Sequence, residues 1–141
     1  MTDTQKVSDV MTRDPKTLPA SATVRDAARE MERSGLGAVM VDSNGELSGL
    51  VTDRDIVVRC LARNGNCDEM PLHAICSSFL ATLSPNDTVK NAIALMSKKA
   101  IRRIPVVEGG RAIGILSIGD LAQNRDPYSA LGGISAAAPN T

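Results

Sequence analysis

In GLVTDRDIV, residues 49–57, two apolar residues behind a glycine read as the end of a buried strand. The chain then turns polar at Thr52, Asp53, Arg54 and Asp55, where a helix begins. GILSIGDLA (114–122) repeats that pattern 65 residues later, pairing Gly49 with Gly114, Thr52 with Ser117 and Asp55 with Asp120. The offset runs backwards without a gap through Gly45/Gly110, Val41/Val106, Met31/Met96, Ala27/Ala92, Val24/Val89, Thr23/Thr88, Leu18/Leu83 and Thr17/Thr82. Apart from Thr52/Ser117, these are ten identities over 17–57, where chance gives roughly three. The chain is an internal duplication.

Each copy reads the same way. A short strand (16–18; 81–83) leads to a turn and then a helix. Apolar residues at Val24, Ala27, Ala28 and Met31, and at Val89, Ala92, Ile93 and Met96, mark one buried stripe. Two strands follow (38–41 with 47–52; 104–107 with 112–117), joined by the hairpin signals Ser43-Asn44-Gly45 and Gly109-Gly110. A second helix starts near Asp53 or Ile118, and the first of these stops around Arg63-Asn64-Gly65. The predicted fold class is therefore α/β, with α+β layers, in tandem β-α-β-β-α repeats related by a pseudo-two-fold. Repeats this small bury too little apolar surface alone, so the two are expected to pack sheet to sheet. The expected divisions are 7–63 for the first repeat, 64–73 for a linker, 74–128 for the second repeat and 129–141 for a flexible tail.

Composition closes several functional classes. Sixteen basic residues balance sixteen acidic ones, so no net field draws the chain to nucleic acid or an anionic membrane. Phe79 and Tyr128 are the only aromatics, too few to stack single-stranded bases. No apolar run approaches a bilayer span and the N-terminus lacks a signal-peptide core, so a cytoplasmic protein is expected. Cys60, Cys67, His73 and Cys76 form C-x6-C-x5-H-x2-C, which lacks the paired knuckles of structural zinc sites. Cys60 falls on the apolar side of a helix, and buried or loop thiols are expected. No P-loop, metal-ligand cluster or nucleophile–base pair is present, so no catalytic residue is assigned and no enzyme is expected.

Two tandem β-α-β-β-α units, each ending G-h-h-[ST]-x-x-D with h apolar, resemble a CBS-domain pair, or Bateman module. The likeness covers about residues 7–123, including the lead-ins VSDVM and LHAIC and the segment IRRIPVVEGGRAIGILSIGDL. The first copy departs from the pattern, with Gly37-Ala38 opposite Arg102-Arg103 and Met40 opposite Pro105.

The resemblance implies a regulatory sensor of the stand-alone two-repeat type, binding AMP, ADP or ATP, or else NAD or S-adenosylmethionine, in clefts between repeats. It implies a homodimer and an effector protein that reads a ligand-dependent change in conformation or in the dimer. The family's phosphate-facing hydroxyl falls on Thr52 and Ser117, and its ribose-facing carboxylate on Asp55 and Asp120. Around them, main-chain and apolar groups of Gly37, Ala38, Val39, Arg103, Ile104 and Pro105 would sandwich an adenine. Arg102 and Arg103 would neutralise phosphate, with Arg54 and Lys16 as weaker candidates, and Thr17 and Thr82 complete the set. The chemistry agrees: a carboxylate accepts from two ribose hydroxyls, and a strand entering a helix N-terminus offers free amides, a hydroxyl and a positive dipole end. Thr52-x-x-Asp55 is also a helix capping box in outline. The alternative function is a ligand-free dimerisation or interaction scaffold with the same fold.

Overall fold

The computed structural model describes residues 4–78 and 81–125. Phe79, Tyr128 and the segment 129–141 expected to form a tail lie outside the described residues. In chain order the elements are α1 (Val7–Val10), β1 (Thr12–Arg13), β2 (Thr17–Pro19), α2 (Val24–Ser34), β3 (Ala38–Ser43), β4 (Glu46–Thr52), α3 (Asp53–Asp55), α4 (Val89–Lys99), β5 (Arg103–Glu108), β6 (Arg111–Ser117) and α5 (Ile118–Arg125).

The chain divides into two compact units, one built from residues 16–78 and the other from 4–15 with 81–125. In the 16–78 unit the sheet order is β2-β3-β4, with β2 and β3 parallel and β3 and β4 antiparallel. In the other unit it is β1-β6-β5, both pairings antiparallel. Thus the lead-in before the first repeat completes the sheet of the second, where Thr12 pairs with Ile115. The lead-in before the second repeat does the same for the first, where Ser77 bridges Leu50. Equivalent backbone hydrogen bonds fix both. Val7 N–H donates to Asp87 O and Val89 N–H to Gln5 O, each at 2.8 Å. Leu72 N–H donates to Ala22 O at 2.8 Å and Val24 N–H to Met70 O at 2.9 Å.

Local chemistry explains the elements. Thr23 and Thr88 cap α2 and α4, each hydroxyl accepting the third helical N–H, from Asp26 and Asn91. Asp26 closes a full capping box, and the Thr23 backbone N–H holds its carboxyl below the usual range. The left-handed pairs Asn44-Gly45 (φ 55° and 84°) and Gly109-Gly110 (φ 61° and 80°) close the hairpins. Each sheet buries the apolar face of its helix. Val24, Ala27 and Met31 lie against Val39, Val41 and Val51; Ala92 and Met96 lie against Ile104, Val106 and Leu116. Each fully buried Val, Leu or Met contributes about 1.5–3 kcal/mol.

Two expectations change. Ala28 is exposed and Ile93 half-buried, so the stripe is narrower than the apolar spacing suggested. The strand expected at 81–83 is a single parallel bridge, Leu83 to Val106. In the 16–78 unit Met40 N–H donates to Lys16 O at 2.8 Å; its counterpart is Pro105, which has no N–H to give. The helix begun by α3 continues as a π turn at Ile56–Cys60 and a 3-10 turn at Leu61–Arg63, ending on left-handed Asn64 (φ 58°). Within segment 64–73, expected as a linker, Cys67 and Met70 lie against the core, while His73 is exposed.

Gly114 explains why the motif opens on glycine. A Cβ there would fall 2.5 Å from Met11 Sδ and 2.9 Å from Thr12 O. At Gly49 the neighbours are the equivalent Cys76 Sγ and Ser77 O, both at 3.0 Å. Replacing Gly114 by Ala should therefore push β1 off β6 and cost about 1–3 kcal/mol, read as a lower urea midpoint; an unchanged midpoint would show that the lead-in does not lie there.

Candidate functional site

In the unit of 4–15 and 81–125, β6 runs directly into α5. Ile118 N–H donates to Arg102 O at 3.0 Å, which fixes the turn against the segment entering β5. Ser117 and Asp120 then form a reciprocal cap. Ser117 N–H donates to Asp120 Oδ2 at 2.9 Å, and Asp120 N–H donates to Ser117 Oγ at 3.2 Å. The Ser117 hydroxyl also lies 3.1 Å from Oδ2. The other carboxylate oxygen, Oδ1, accepts from the Thr12 hydroxyl at 2.8 Å.

An open depression of about 570 Å³ lies over this turn, lined by Thr12, Arg102, Arg103, Ser117, Ile118, Gly119, Asp120 and Gln123. Arg102 and Arg103 are exposed, and neither forms an ion pair among the described residues. Gly119 occupies the second helical position, where an N–H has no intrahelical acceptor. Two guanidinium groups, a hydroxyl and a helix N-terminus thus converge on one hollow. That combination suits an anion carrying hydroxyl groups.

The 16–78 unit repeats the turn with different charges. Thr52 N–H donates to Asp55 Oδ2 at 2.9 Å and Asp55 N–H to Thr52 Oγ1 at 3.1 Å. Asp53 N–H donates to Gly37 O at 3.0 Å, as Ile118 does to Arg102. Gly37 and Ala38 carry no charge where the other copy has two arginines, and Asp53 replaces Ile118. The Asp53 carboxylate accepts from Arg54 N–H at 2.8 Å and lies 3.0 Å from where a Cβ on Gly37 would be. A Cβ at 37 would require the exposed Asp53 side chain to give way. Asp55 is further held by Arg59 at 3.7 Å.

Of the sequence-predicted residues, Arg102, Arg103, Ser117 and Asp120 line one hollow. Gly37, Thr52 and Asp55 meet at the equivalent turn, where Ala38 lies opposite Thr52 and Arg54 is exposed. Val39 and Ile104 are almost wholly buried in the two cores, and Pro105 is buried as well. Thr17 is exposed on β2, Lys16 just before it and Thr82 are also exposed, and Thr82 does not line the hollow. Thr12, Gln123, Ile118 and Gly119 were not anticipated. Thr12 could have been found, because the 65-residue offset pairs it with Ser77, another hydroxyl. Among the described residues no three of His, Cys, Asp and Glu converge as metal ligands. No helix among them is long and apolar enough to cross a membrane.

A family model for the CBS domain matches residues 7–61 and 72–126. The chain belongs to the CBS-domain family and has the tandem arrangement of its regulatory, signal-transducing pair modules. The CBS domain-containing protein YhcV of Bacillus subtilis is 36% identical over 119 residues, 84% of this chain and 84% of its own length. A solved structure of a protein with CBS domains from Burkholderia ambifaria MC40-6 superposes with a TM-score of 0.78 at 25% identity, covering 89% of this chain and 96% of that one. The hexameric CBS-CP12 protein from bloom-forming cyanobacteria gives a TM-score of 0.74 at 29% identity, covering 86% and 72%.

Because the Asp120 carboxylate already accepts hydrogen bonds at both oxygens, Asp120→Ala should lower stability by about 1–2 kcal/mol without any ligand. Urea unfolding checks this, and Thr12→Val isolates the Oδ1 bond with a smaller loss. Wild-type midpoints in both variants would contradict the cap.

Proposed function

We propose that this chain is a regulatory module that binds an adenosine nucleotide of the AMP, ADP or ATP type at the turn from β6 to α5. Ligand binding shifts the conformation or the homodimer, and an effector protein reads the shift. The observation that carries the reading is the two arginines, Arg102 and Arg103, that form no ion pair among the described residues, beside the Ser117–Asp120 cap on one hollow. Its volume of about 570 Å³ lies within the range usual for small-molecule sites.

Phosphate oxygens accept from the guanidinium groups and the first-turn amides of α5, with the Ser117 hydroxyl as a further donor. Asp120 accepts from the ribose hydroxyls, for which the Thr12 hydroxyl must release Oδ1. The bond to Thr12 thus holds the carboxylate until a diol replaces it. Signalling requires that the nucleotide favour one arrangement of the protein over another. NAD and S-adenosylmethionine share the adenosine part and remain in the ligand class to be tested.

A second reading, a ligand-free dimerisation or interaction scaffold, draws support from the 16–78 unit. There the cap is closed in the same way, Gly37 and Ala38 stand where the other copy has its two arginines, and Asp53 repels phosphate. The sensing reading therefore predicts one nucleotide per chain rather than two.

Isothermal titration with AMP, ADP, ATP, NAD and S-adenosylmethionine separates the readings. Sensing predicts saturable heat at about one site per chain, and affinity about tenfold or more weaker in Arg102→Ala and Arg103→Ala. Asp53→Ala should bind as the wild type does. No heat from any of the five with folded protein would leave the scaffold.

A further inference from the structure

Two thiols in the 16–78 unit take no part in the site described above. Cys60 is fully buried in the core, and Cys67 is half-buried at its edge. Their sulfur atoms are 3.1 Å apart.

The backbone brings them together. The 3-10 turn Leu61–Arg63 ends on left-handed Asn64, and Gly65 N–H then donates back to Cys60 O at 2.8 Å. Gly65 lies so close that a Cβ there would be 3.1 Å from Cys60 Sγ and 2.6 Å from the Met70 methyl carbon. Cys67 is fixed in turn, its carbonyl accepting Arg25 N–H at 3.0 Å at the start of α2. A disulfide needs about 2.05 Å between sulfurs, so closure requires only a small movement of two side chains.

We propose that Cys60 and Cys67 are a redox modification site, forming a reversible intramolecular disulfide when the chain meets a hydroperoxide. Cys67, the less buried of the two residues, reacts first. It gives up its proton, and its sulfur attacks the terminal peroxide oxygen. The O–O bond breaks, leaving a sulfenic acid on Cys67 and releasing the alcohol, or water when the oxidant is hydrogen peroxide. Cys60 sulfur then attacks Cys67 sulfur. The S–O bond breaks, and the hydroxyl leaves as water with the proton of Cys60. Two thiols lose two electrons and one hydroperoxide gains them. A small dithiol reverses the bond by exchange.

The division of roles follows from burial. Desolvation, and after it the hydrogen bond with Cys67, pushes the Cys60 thiol up to about 11. Cys60 therefore stays protonated and shielded until an electrophilic sulfur forms beside it. The bridge would join the end of the π turn to the segment whose Cys67 and Met70 carbonyls hold the first amides of α2. Cys76 stands apart: its sulfur approaches His73 O at 4.0 Å, and no hydrogen bond joins it to either of the other two thiols among the described residues.

The test uses the full chain, fully reduced, treated with hydrogen peroxide, alkylated and digested with trypsin and a glutamate-specific protease. Cleavage after Arg59, Arg63 and Glu69 separates Cys60, Cys67 and Cys76 onto different peptides. The expected product is peptide 60–63 linked to peptide 64–69, two hydrogen masses below their sum and released by dithiothreitol. Cys76→Ser should retain it, and Cys67→Ser, at the less buried position, should abolish it. Recovery of 60–63 alkylated and unlinked, with Cys67 driven to sulfinic or sulfonic acid, would overturn the proposal. So would Cys67 bridged only to Cys76 or to a second chain.

Discussion

A strand can lie across the outer edge of each hairpin only where that hairpin offers a glycine. At Gly114 the space a methyl group would fill belongs to Met11 and the Thr12 carbonyl, and at Gly49 to Cys76 and the Ser77 carbonyl. Much follows from this close approach. It lets a lead-in that is remote in sequence pair with the second hairpin strand of each unit, and it buries Val7 and Met11 in one core and Leu72 and Ile75 in the other. In the unit of 4–15 and 81–125 it also delivers the Thr12 hydroxyl to Asp120. The motif glycine is thus a packing residue, and its effect on the site comes through the strand it admits.

Duplication supplied two equivalent turns, and a few substitutions made them chemically unlike. Both close with a hydroxyl and a carboxylate three residues on. One adds two guanidinium groups, while the other adds a carboxylate against a glycine. A like charge within a few ångströms of an incoming phosphate costs binding energy in proportion to the exclusion of water, so the difference decides which turn suits an anion. The same capping geometry serves the fold in both units, whatever binds.

Much of the fold was legible because its determinants are local. The hairpins follow from Asn44-Gly45 and Gly109-Gly110, the helix starts from Thr23 and Thr88, and the helix stop from Asn64. Ser117 and Asp120 were legible because the repeat aligns them with Thr52 and Asp55, and Arg102 and Arg103 because the segment before β5 resembles the family's basic one. The exchange of lead-ins was not, since nothing local states which sheet a two-residue strand will join. Only the Thr12/Ser77 correspondence hinted at it, through a shared hydroxyl rather than an identity. The weakened strand at Leu83 was legible in principle, because Pro105 lacks the donor that Met40 supplies. The exposure of Ala28 was not, because alanine suits either face of a helix.

The central claim is the proposal that, of the two equivalent turns, the one from β6 to α5, completed by Thr12, is the one that takes a nucleotide. An amide-resolved NMR titration with AMP examines it directly. The account predicts saturable shifts at Thr12, Ile118, Gly119 and Asp120, with Asp53, Arg54 and Asp55 unmoved. Equal shifts at both turns, or shifts confined to 53–55, would contradict it.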